Sequence, residues 1–538
     1  MNNKAAYTLY KNETKQPYFI DKSLILEELF PMVRTGNNHI CITRPRRFGK
    51  SVMANMIASF FSKAKQSRDL FGTLKISESK EYKKHLNQYA VIHISFNELG
   101  GQCNSYRDYI GRIEKRLARD LKTEYPDVEL YGDESVVDIL LDIFAENDSA
   151  RFIFVLDEWD FIFHQSFITE DDKKSYLMYL RDLLKDKPYV LLAYMTGILP
   201  ITKYSSGSEL NMFAEFTMAS DRRFCEYFGF TSKEVDLLFS RYQKNLSGAG
   251  TVTRKGLAYW YDGYYTKSGV QIYNPRSVVR ALSDDNLKNY WTSSGPYDEI
   301  YFYVKHNVAA IRDDLALLVS ETRVPVKICE YAAVSQELKT KDEIFSAMLI
   351  YGFLSYQDGQ VSVPNKELMD QFSMMLKKEP SFGYVYQLAK ESERMLKATL
   401  AGDTQTMEQI LELAHDTEVP LLSYSNETEF TAVVNLVYLA ARDRYRVERE
   451  ERAGVGYVDF IFYPEINPDE DGIILELKVD HTPDEAISQI KEKKYAMRFR
   501  GKTGETPKYT CRILGVGISY SKMDKKHHCK IEVLKEKG

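Results

Sequence analysis

The sequence lacks a hydrophobic run long enough to cross a membrane, for which about 20 consecutive apolar residues are needed. Its first residues, 1–4, are polar, and no apolar segment typical of a secretion signal follows them. The sequence therefore predicts a cytoplasmic protein without a membrane partner.

Cysteines in paired spacing are also missing. The chain of 538 residues contains six cysteines, and none of them forms a C-x-x-C pair. This spacing argues against a disulfide framework and against a zinc site, and it indicates reduced thiols. The cysteines are Cys41, Cys103, Cys225, Cys329, Cys511 and Cys529.

Neither sign of charge dominates, because 72 lysines and arginines stand against 77 aspartates and glutamates, a net charge of −5. Bulk charge therefore does not indicate a nucleic-acid-binding protein, and any such site must be a local basic patch. The length exceeds what one hydrophobic core usually supports, so we expect two or three domains.

One short loop separates an apolar run from a helical pattern near the N-terminus. Residues 40–42 are apolar, Gly49-Lys50-Ser51 close the loop, and apolar residues at helical spacing follow. This is the strand–loop–helix order of a phosphate-binding P-loop, in which backbone N–H groups face phosphate oxygens. Lys50 would contact the β- and γ-phosphates, and Ser51 would hold Mg²⁺. The predicted nucleotide contacts in this loop are Arg46, Arg47, Phe48, Gly49, Lys50, Ser51 and Val52.

The loop lacks the first glycine of the pattern G-x-x-x-x-G-K-[ST], because Arg44 stands there. An ordinary loop with solvated arginines is therefore the alternative. A second stretch favours nucleotide binding, since the apolar run 152–156 leads directly into Asp157 and Glu158. In P-loop ATPases an acid at this position holds Mg²⁺, and the following glutamate polarises the attacking water.

Two further nucleotide contacts are predicted downstream. The apolar run 189–195 ends at Thr196, which we expect to sense the γ-phosphate; a strand exit without a ligand is the alternative. Arg223 is a candidate arginine finger or γ-phosphate sensor; the alternative is a solvated pair with its neighbour Arg222, which is the more frequent role of adjacent surface arginines. Strands that alternate with helices predict a parallel sheet with helices on both faces.

The C-terminal part has a second constellation of charged residues. Residues 457–463 and 472–479 are predicted strands joined by an acidic loop, and strand alternation puts Glu476 and Lys478 on one face. A hairpin brings Asp459 within reach of Glu476, and two carboxylates in an apolar sheet need a cation. An exposed hairpin with surface charges is the alternative.

The spacing of Asp459, Glu476 and Lys478 is that of PD-(D/E)XK nucleases. Asp459, Glu476 and the main-chain carbonyl of Leu477 would hold Mg²⁺, and Mn²⁺ could replace it. Lys478 would orient or deprotonate the attacking water, while the metal would stabilise charge on the scissile phosphate.

Several motifs resemble those of the AAA-ATPase-like family, namely residues 45–51, 156–158, 196–199, 261–264, 272–275 and 290–291. Members of that family join such an ATPase to a C-terminal PD-(D/E)XK nuclease-like domain, and arginine at the position of Arg44 is usual there. The resemblance covers residues 18–291 and resumes near Thr428. It implies a bacterial or archaeal origin and supplies no substrate.

The nuclease resemblance implies further site residues. Glu429, or Glu427, at the start of a predicted helix would add a metal ligand. Gln489, on the helix after the hairpin, resembles the Q-and-Y helix of RecB-like members, with Tyr495 behind it. A basic run beside it suits phosphate contacts, namely Lys491, Lys493, Lys494, Arg498, Arg500 and Lys502.

The sequence thus predicts three parts. These are an AAA-ATPase-like P-loop domain with its C-terminal helical part at residues 1–297, a helical connector at 298–419, and an α/β PD-(D/E)XK nuclease-like domain at 420–538. The predicted function is ATP binding and hydrolysis together with Mg²⁺-dependent cleavage of nucleic acid, DNA rather than RNA. A homo-oligomer through the ATPase domain is an open expectation.

Two alternatives to this function are kept. One is a nucleotide-switched regulatory or nucleic-acid-binding module whose nuclease fold does not cut. The other is a plain ATPase with a structural C-terminal domain, which would hydrolyse ATP without any effect on DNA.

Overall fold

The computed structural model describes residues 4–33, 35, 37–100, 103–128, 135–201, 209–219, 221–245, 250–291, 304, 308–328, 338, 340–413, 427–453, 456–465, 467, 469–500, 509 and 511–536. The chain divides into two compact units. The first unit consists of Met1–Gly295 and Val326–Glu367, and the second of Pro296–Pro325 and Leu368–Gly538. Residues 298–419, predicted as a connector, are therefore shared between the two units. Within the described ranges, no helix has the length and hydropathy that crossing a membrane requires.

The helices are α1 (Lys4–Thr14), α2 (Ile25–Leu29), α3 (Lys50–Phe61), α4 (Arg68–Phe71), α5 (Tyr82–His85), α6 (Tyr106–Glu124), α7 (Val136–Glu146), α8 (Glu170–Leu184), α9 (Ser232–Asn245), α10 (Arg254–Tyr261), α11 (Pro275–Asp284), α12 (Val308–Val319), α13 (Lys341–Tyr351), α14 (Lys366–Lys378), α15 (Tyr384–Lys390), α16 (Ser392–Ala401), α17 (Thr404–Glu412), α18 (Glu427–Val437) and α19 (Pro483–Glu492).

The strands are β1 (His39–Thr43), β2 (Ala90–Ser95), β3 (Phe152–Asp157), β4 (Val190–Gly197), β5 (Ala214–Phe216), β6 (Phe230–Thr231), β7 (Tyr264–Tyr265), β8 (Gln271–Tyr273), β9 (Val324–Pro325), β10 (Ser355–Gln357), β11 (Gln360–Ser362), β12 (Tyr445–Ala453), β13 (Gly456–Pro464), β14 (Gly472–Val479), β15 (Ile513–Ser521) and β16 (Lys526–Lys535).

The first unit is built on a parallel sheet of strand order β2-β3-β4-β1-β5. Its central strands are continuous apolar runs because helices cover both faces. On one face, Phe152, Phe154 and Leu156 of β3 belong to a core cluster with residues of α6, α7 and α8. On the other face, α3 packs against β2, β3 and β4. The predicted parallel sheet with helices on both faces is confirmed.

Strand register brings the predicted nucleotide residues to one edge of this sheet. Asp157 at the end of β3 is the register partner of Thr196 on β4, and Thr196 is the partner of Ile42 on β1. The P-loop leaves β1 at this same edge. In open parallel sheets, ligands bind outside the carboxyl ends of the strands, and the candidate nucleotide site lies there.

A smaller subdomain of the first unit follows the sheet. Strands β6, β8 and β7 form an antiparallel sheet in that order, and α9, α10 and α11 contribute to an apolar core that includes Leu238, Leu257 and Val278. The apolar spacing of residues 224–242 suits a single helix, whereas the helix begins at Ser232, because Phe224 has a positive φ of 63° and β6 precedes the helix.

The second unit contains a five-stranded sheet of order β12-β13-β14-β15-β16, antiparallel except between β14 and β15. Helix α19 packs on β14 and β15. Gly517 permits this close approach, since a Cβ at that position would lie 2.4 Å from the carbonyl oxygen of Pro483. The packing places Gln489 of α19 over the hairpin of β13 and β14.

Candidate nucleotide site and candidate nuclease site

The loop between β1 and α3 is bent by two residues with positive φ, Arg47 at 70° and Gly49 at 89°. The bend starts α3 at Lys50, so the first N–H groups of that helix have no partner within the helix. Phe48 anchors the loop in the protein interior, because it is 1% exposed and its ring packs edge-on against Tyr264. The loop therefore presents helical N–H donors where a phosphate would bind.

Lys50 is held inside the loop. Its side chain is 6% exposed, and Nζ donates to the carbonyl oxygens of Arg44 and Pro45, each at 2.9 Å. Burial lowers the pKa of Lys50 to about 8, and the nearby carboxylate of Asp160 opposes this effect most strongly. A phosphate bound here would take over the hydrogen bonds now made to the two carbonyls.

Arg44, which stands where the P-loop pattern has its first glycine, is a buried anchor of this loop. The side chain is 1% exposed and donates to the carbonyl oxygens of Thr43 at 2.7 Å, Phe216 at 2.9 Å and Phe224 at 3.2 Å. Burial lowers the pKa of Arg44 to about 10. The arginine thus ties the loop to β5 and to the segment after it, and it is not one of the solvated arginines of the alternative interpretation.

Ser51 and Asp157 form the part of the site that a cation would use. Asp157 is 3% exposed, and burial raises its pKa to about 6, while a hydrogen bond with the Ser51 hydroxyl opposes the shift. Its Oδ1 is buried and has no hydrogen-bond partner in the described part of the chain. A hydroxyl beside an unpartnered carboxylate oxygen is a donor set that suits Mg²⁺. These residues therefore fit the predicted ion.

A cavity of about 740 Å³ lies over the loop. Glu158 lines it and has a positive φ of 52°, a backbone conformation that is uncommon for a side-chain-bearing residue and is frequent at functional sites. The cavity is also lined by all the predicted P-loop contacts, Arg46, Arg47, Phe48, Gly49, Lys50, Ser51 and Val52. Asp157 contacts Ser51 and does not form part of the cavity wall.

Two predicted contacts are not brought to the cavity. Thr196 is fully buried, and its Oγ1 donates to the carbonyl oxygen of Ile42 at 2.8 Å. Arg223 donates from Nε to Oε2 of Glu28 at 3.2 Å and from Nη2 to the carbonyl oxygen of Glu28 at 3.0 Å. Their geometry therefore favours structural roles over contact with a γ-phosphate.

Two arginines that the sequence analysis missed do face the cavity. Arg276 and Arg280 lie one turn apart on α11, line the cavity and are exposed. Neither makes a hydrogen bond or an ion pair with the rest of the described chain. The i,i+4 spacing on an amphipathic helix was the available signal, but nothing in the sequence shows that α11 reaches the P-loop.

Asp160 was also missed. Its Oδ2 accepts hydrogen bonds from the backbone N–H groups of Ile198 at 2.9 Å and Leu199 at 2.7 Å, which fixes the carboxylate at the end of β4. It lines the cavity, and among charged neighbours it contributes most to keeping Lys50 protonated.

Positively charged side chains concentrate around this cavity. Arg47 donates to the carbonyl oxygens of Tyr290, at 2.7 Å, and Trp291, and its pKa is lowered to about 10 by burial and next by Arg276. Arg46 in turn lowers the pKa of Lys50. Cations that disfavour one another's charge are stabilised by an anion. A chain of phosphates carries negative charge that would stabilise these cations.

In the second unit, the strand register defines the candidate nuclease site. Phe460 pairs with Leu475, so the next residues along, Asp459 and Glu476, stand opposite each other where the ladder ends. Asp459 Oδ2 accepts a hydrogen bond from the Leu477 N–H at 2.7 Å. In an antiparallel pair the N–H and C=O of one residue point to the same neighbour, so the Leu477 carbonyl faces this side too.

Glu476 is the buried centre of this site, at 3% exposure. Its Oε1 accepts hydrogen bonds from Lys478 Nζ at 3.1 Å and from Gln489 Nε2. Its Oε2 is buried and has no partner among the residues that the structure describes. Burial and then the Asp459 carboxylate raise the pKa of Glu476 to about 7, while Lys478 opposes the shift. The structure thus brings Asp459, Glu476, Lys478 and Gln489 together.

The donor set fits a hard divalent cation. Asp459, Glu476 Oε2 and the Leu477 carbonyl are oxygen ligands of the kind that Mg²⁺ and Mn²⁺ bind. In the described ranges no group of three or more His, Cys, Asp or Glu side chains could hold a metal. The backbone of Glu429 and Glu427 begins α18, but their side chains lie outside the described residues, so a third carboxylate ligand stays a prediction.

The predicted basic run is partly paired with acids. Lys491 forms an ion pair with Glu532, and Arg498 Nη2 lies 4.0 Å from Oε2 of Glu448. The side chain of Arg500, and Lys502 as a whole, lie outside the described residues.

Comparisons with known proteins agree with both halves of this geometry. Residues 9–206 match the family described as predicted AAA-ATPase, and residues 425–521 match the PD-(D/E)XK nuclease superfamily. The first range contains Lys50 and Asp157, and the second contains Asp459, Glu476 and Lys478. The chain therefore combines an AAA-ATPase-like region with a PD-(D/E)XK nuclease superfamily region.

A curated relative is an uncharacterized protein in the vnfD 5′ region of Azotobacter chroococcum mcd 1. It is 24% identical over 288 residues, which are 52% of this chain and 51% of the relative. The chain thus spans about half the length of the curated relative that it matches.

Similar solved structures include two archaeal proteins. The Walker-type ATPase PABY2304 of Pyrococcus abyssi has a TM-score of 0.36 at 10% identity, over 65% of this chain and 94% of that protein. Cdc6p of Pyrobaculum aerophilum has a TM-score of 0.27 at 14% identity, over 65% of this chain and 91% of that protein.

Proposed function

We propose that this protein binds and hydrolyses ATP and that its second unit is a divalent-metal-dependent nuclease acting on nucleic acid, DNA rather than RNA. The observation that carries the nuclease half is the buried Glu476 carboxylate opposite Asp459. One of its oxygens takes both Lys478 and Gln489, and the other has no partner in the described part of the chain. A buried carboxylate oxygen left unpaired is unfavourable unless a cation meets it.

In the nuclease unit, Asp459, Glu476 Oε2 and the Leu477 carbonyl would hold Mg²⁺ or Mn²⁺. A cation bound there supplies charge stabilisation for the scissile phosphate. Lys478 Nζ lies 3.1 Å from Oε1 of Glu476. As an ammonium it would orient the attacking water, and as the neutral amine it would take a proton from that water at Nζ. Gln489 holds the Glu476 carboxylate in place from α19.

In the ATPase unit, Lys50 would bind the β- and γ-phosphates, and Ser51 and Asp157 would hold Mg²⁺. Glu158, which lines the cavity, would polarise the attacking water. Arg276 and Arg280 support this role better than Thr196 and Arg223 do, because they line the cavity without ion-pair partners among the described residues.

The non-cutting module remains the second candidate, and a specific observation favours it. The Lys478 ammonium already caps one oxygen of Glu476, and only two carboxylates of the described chain face the site. A nucleic-acid-binding fold that no longer cuts would keep such an internal ion pair.

Nicking of supercoiled plasmid by the full chain in Mg²⁺ and ATP separates the candidates. We expect the wild type to nick the plasmid. Lys478→Ala should nick at least about 100-fold more slowly, which is the size of a general acid–base contribution. Lys50→Ala should lose the stimulation of nicking by ATP. Lys397→Ala is the matched control, because that lysine belongs to the same unit and pairs with Glu393 on its own helix, α16.

Cleavage by Lys478→Ala at the wild-type rate would refute the nuclease assignment. Metal binding and DNA binding without any cleavage by the wild type would establish the module instead. ATP turnover without binding or cleavage of DNA would leave a plain ATPase.

A further inference from the structure

The nucleotide cavity extends beyond the space that phosphates need. Ser51 and Met56 both line it, and they stand five residues apart on α3, about 7.5 Å along the helix axis. Phe19 and Ile20 from the N-terminal segment and Phe230 line it as well. An apolar, partly aromatic extension next to a phosphate site has the properties of a pocket for a planar base.

Helix α1 contributes two polar side chains to this extension. Tyr10 and Glu13 lie three residues apart, on one face of the helix, and both line the cavity. The Tyr10 ring is fixed by stacking on Phe71, at 5.6 Å between centroids, and by an edge contact with Phe19 at 6.3 Å. Helix α1 itself packs against α3, so this face is held beside the helix that carries Ser51.

Both polar groups lack a partner in the described part of the chain. Tyr10 is 2% exposed, and its hydroxyl makes no hydrogen bond there. Glu13 is half-buried, burial raises the pKa of its carboxyl, and no cation or hydroxyl of the described chain pairs with it. A buried hydroxyl without a partner is unfavourable, so the pair is better accounted for by a ligand that supplies one donor and one acceptor.

We propose that Glu13, with Tyr10, recognises the amino-bearing edge of adenine and makes this site selective for adenine nucleotides. The inference rests on the proposed ATP site. A carboxylate only accepts hydrogen bonds, and the 6-amino group of adenine donates them. The Tyr10 hydroxyl is the donor for the neighbouring ring nitrogen. Hypoxanthine reverses this pattern, because it carries an oxygen at position 6 and a proton on the ring nitrogen.

The test compares binding of ATP and ITP to the full chain by calorimetry. We expect the wild type to bind ATP at least about tenfold more tightly than ITP, as in sites built to hydrogen-bond one group. Glu13→Gln should weaken ATP binding and strengthen ITP binding, since the glutamine amide donates to the oxygen at position 6. Tyr10→Phe keeps the packed ring and should weaken ATP binding several-fold. Lys11→Gln is the control on the same helix, because Lys11 pairs with Asp69.

Equal affinities of the wild type for ATP and ITP, with no change in their ratio in Glu13→Gln, would overturn this inference and leave the phosphate site intact. Tighter binding of GTP than of ATP would also overturn it, since the carboxylate would then face the donors of guanine. If the wild type bound no nucleoside triphosphate and no inorganic triphosphate, the proposed ATP site itself would fail.

Discussion

Lys478 and Glu476, two residues apart on β14, are joined by a hydrogen bond of 3.1 Å between Nζ and Oε1. Strand alternation puts both side chains on one face, and α19 adds Gln489 to the same oxygen. The Lys478 ammonium thus contacts only one oxygen of the buried carboxylate, Oε1. Oε2 stays available to a cation that Asp459 could share.

Divalent-metal affinity of the second unit should depend on Glu476 and on pH. A ligating carboxylate must be deprotonated, and the pKa of Glu476 is raised to about 7, so Mn²⁺ should bind more tightly at pH 8 than at pH 6. Glu476→Gln should weaken binding at least about tenfold and remove most of this pH dependence. Calorimetric titration with Mn²⁺ in the absence of nucleotide measures both effects.

Asp484→Asn is the matched control for this titration. Asp484 lies on α19 and pairs with Lys530 at the surface, away from Glu476. An equal loss of Mn²⁺ affinity in Asp484→Asn and Glu476→Gln would contradict the proposed ligand set.

Arg276 and Arg280 should matter for triphosphate binding, whereas Arg223 should not. Each hydrogen bond to a charged group contributes about 1.5–3 kcal/mol, so Arg276→Ala and Arg280→Ala should each weaken ATP binding about tenfold to 100-fold. ADP binding should fall less if the arginines contact the γ-phosphate. Arg223→Ala should retain wild-type affinity, because its guanidinium is bound to Glu28. A larger loss in Arg223→Ala than in Arg276→Ala would restore the original sensor assignment.

The stability of the first unit should fall as pH rises through the range set by Glu367. This side chain is 1% exposed and accepts hydrogen bonds from the N–H groups of Tyr290 at 2.7 Å and Trp291 at 3.1 Å. Burial raises its pKa from 4.5 to about 7. Between these values the folded protein keeps a proton that the unfolded chain has lost, so folding loses up to about 3 kcal/mol by pH 7.

Glu367→Gln keeps an acceptor oxygen for both N–H groups and removes the titration. The thermal unfolding midpoint of Glu367→Gln minus that of the wild type should therefore be larger at pH 8 than at pH 5. Glu124→Gln changes an exposed acid of the same unit and should show no such trend. If the difference in unfolding midpoint between Glu367→Gln and wild type stayed constant from pH 5 to pH 8, the Glu367 carboxyl would not titrate as described.

Gly517→Ala should displace α19 from the sheet and disturb the nuclease site. Its Cβ would lie 2.4 Å from the backbone oxygen of Pro483, which cannot rotate away as a side chain could. Overpacking of this kind destabilises by about 1–3 kcal/mol, and the shift should move Gln489 from Glu476 and slow nicking. Gly111→Ala is the control, because nothing lies within 4 Å of its added Cβ and a helical alanine is favoured by about 0.5–1 kcal/mol. If Gly517→Ala nicked plasmid at the wild-type rate, the position of α19 would not matter for the nuclease site.

Local patterns predicted much of this molecule. The run at 152–156 and the one at 189–195 are strands because continuous apolar residues suit a sheet covered on both faces. The alternation around Glu476 predicted correctly that Lys478 shares its face, since alternation is a property of a single strand. The apolar pattern of residues 382–400 would suit one helix, but the structure has two, α15 and α16, because Glu391 interrupts the pattern with a short turn.

The sequence by itself therefore determined the individual strands of the parallel sheet, the P-loop, and the strand pair that carries Asp459, Glu476 and Lys478, because each depends on neighbours within a few residues or one hairpin. The order of the strands in that sheet was decided by the tertiary structure, since β1 and β4 pair although they lie about 150 residues apart. Only the tertiary structure decided which arginines reach the cavity. Arg276 and Arg280 arrive on a helix more than two hundred residues after Lys50, while Arg223 turns to Glu28. Periodicity defines the face of a helix, but packing against the rest of the unit selects what that face meets.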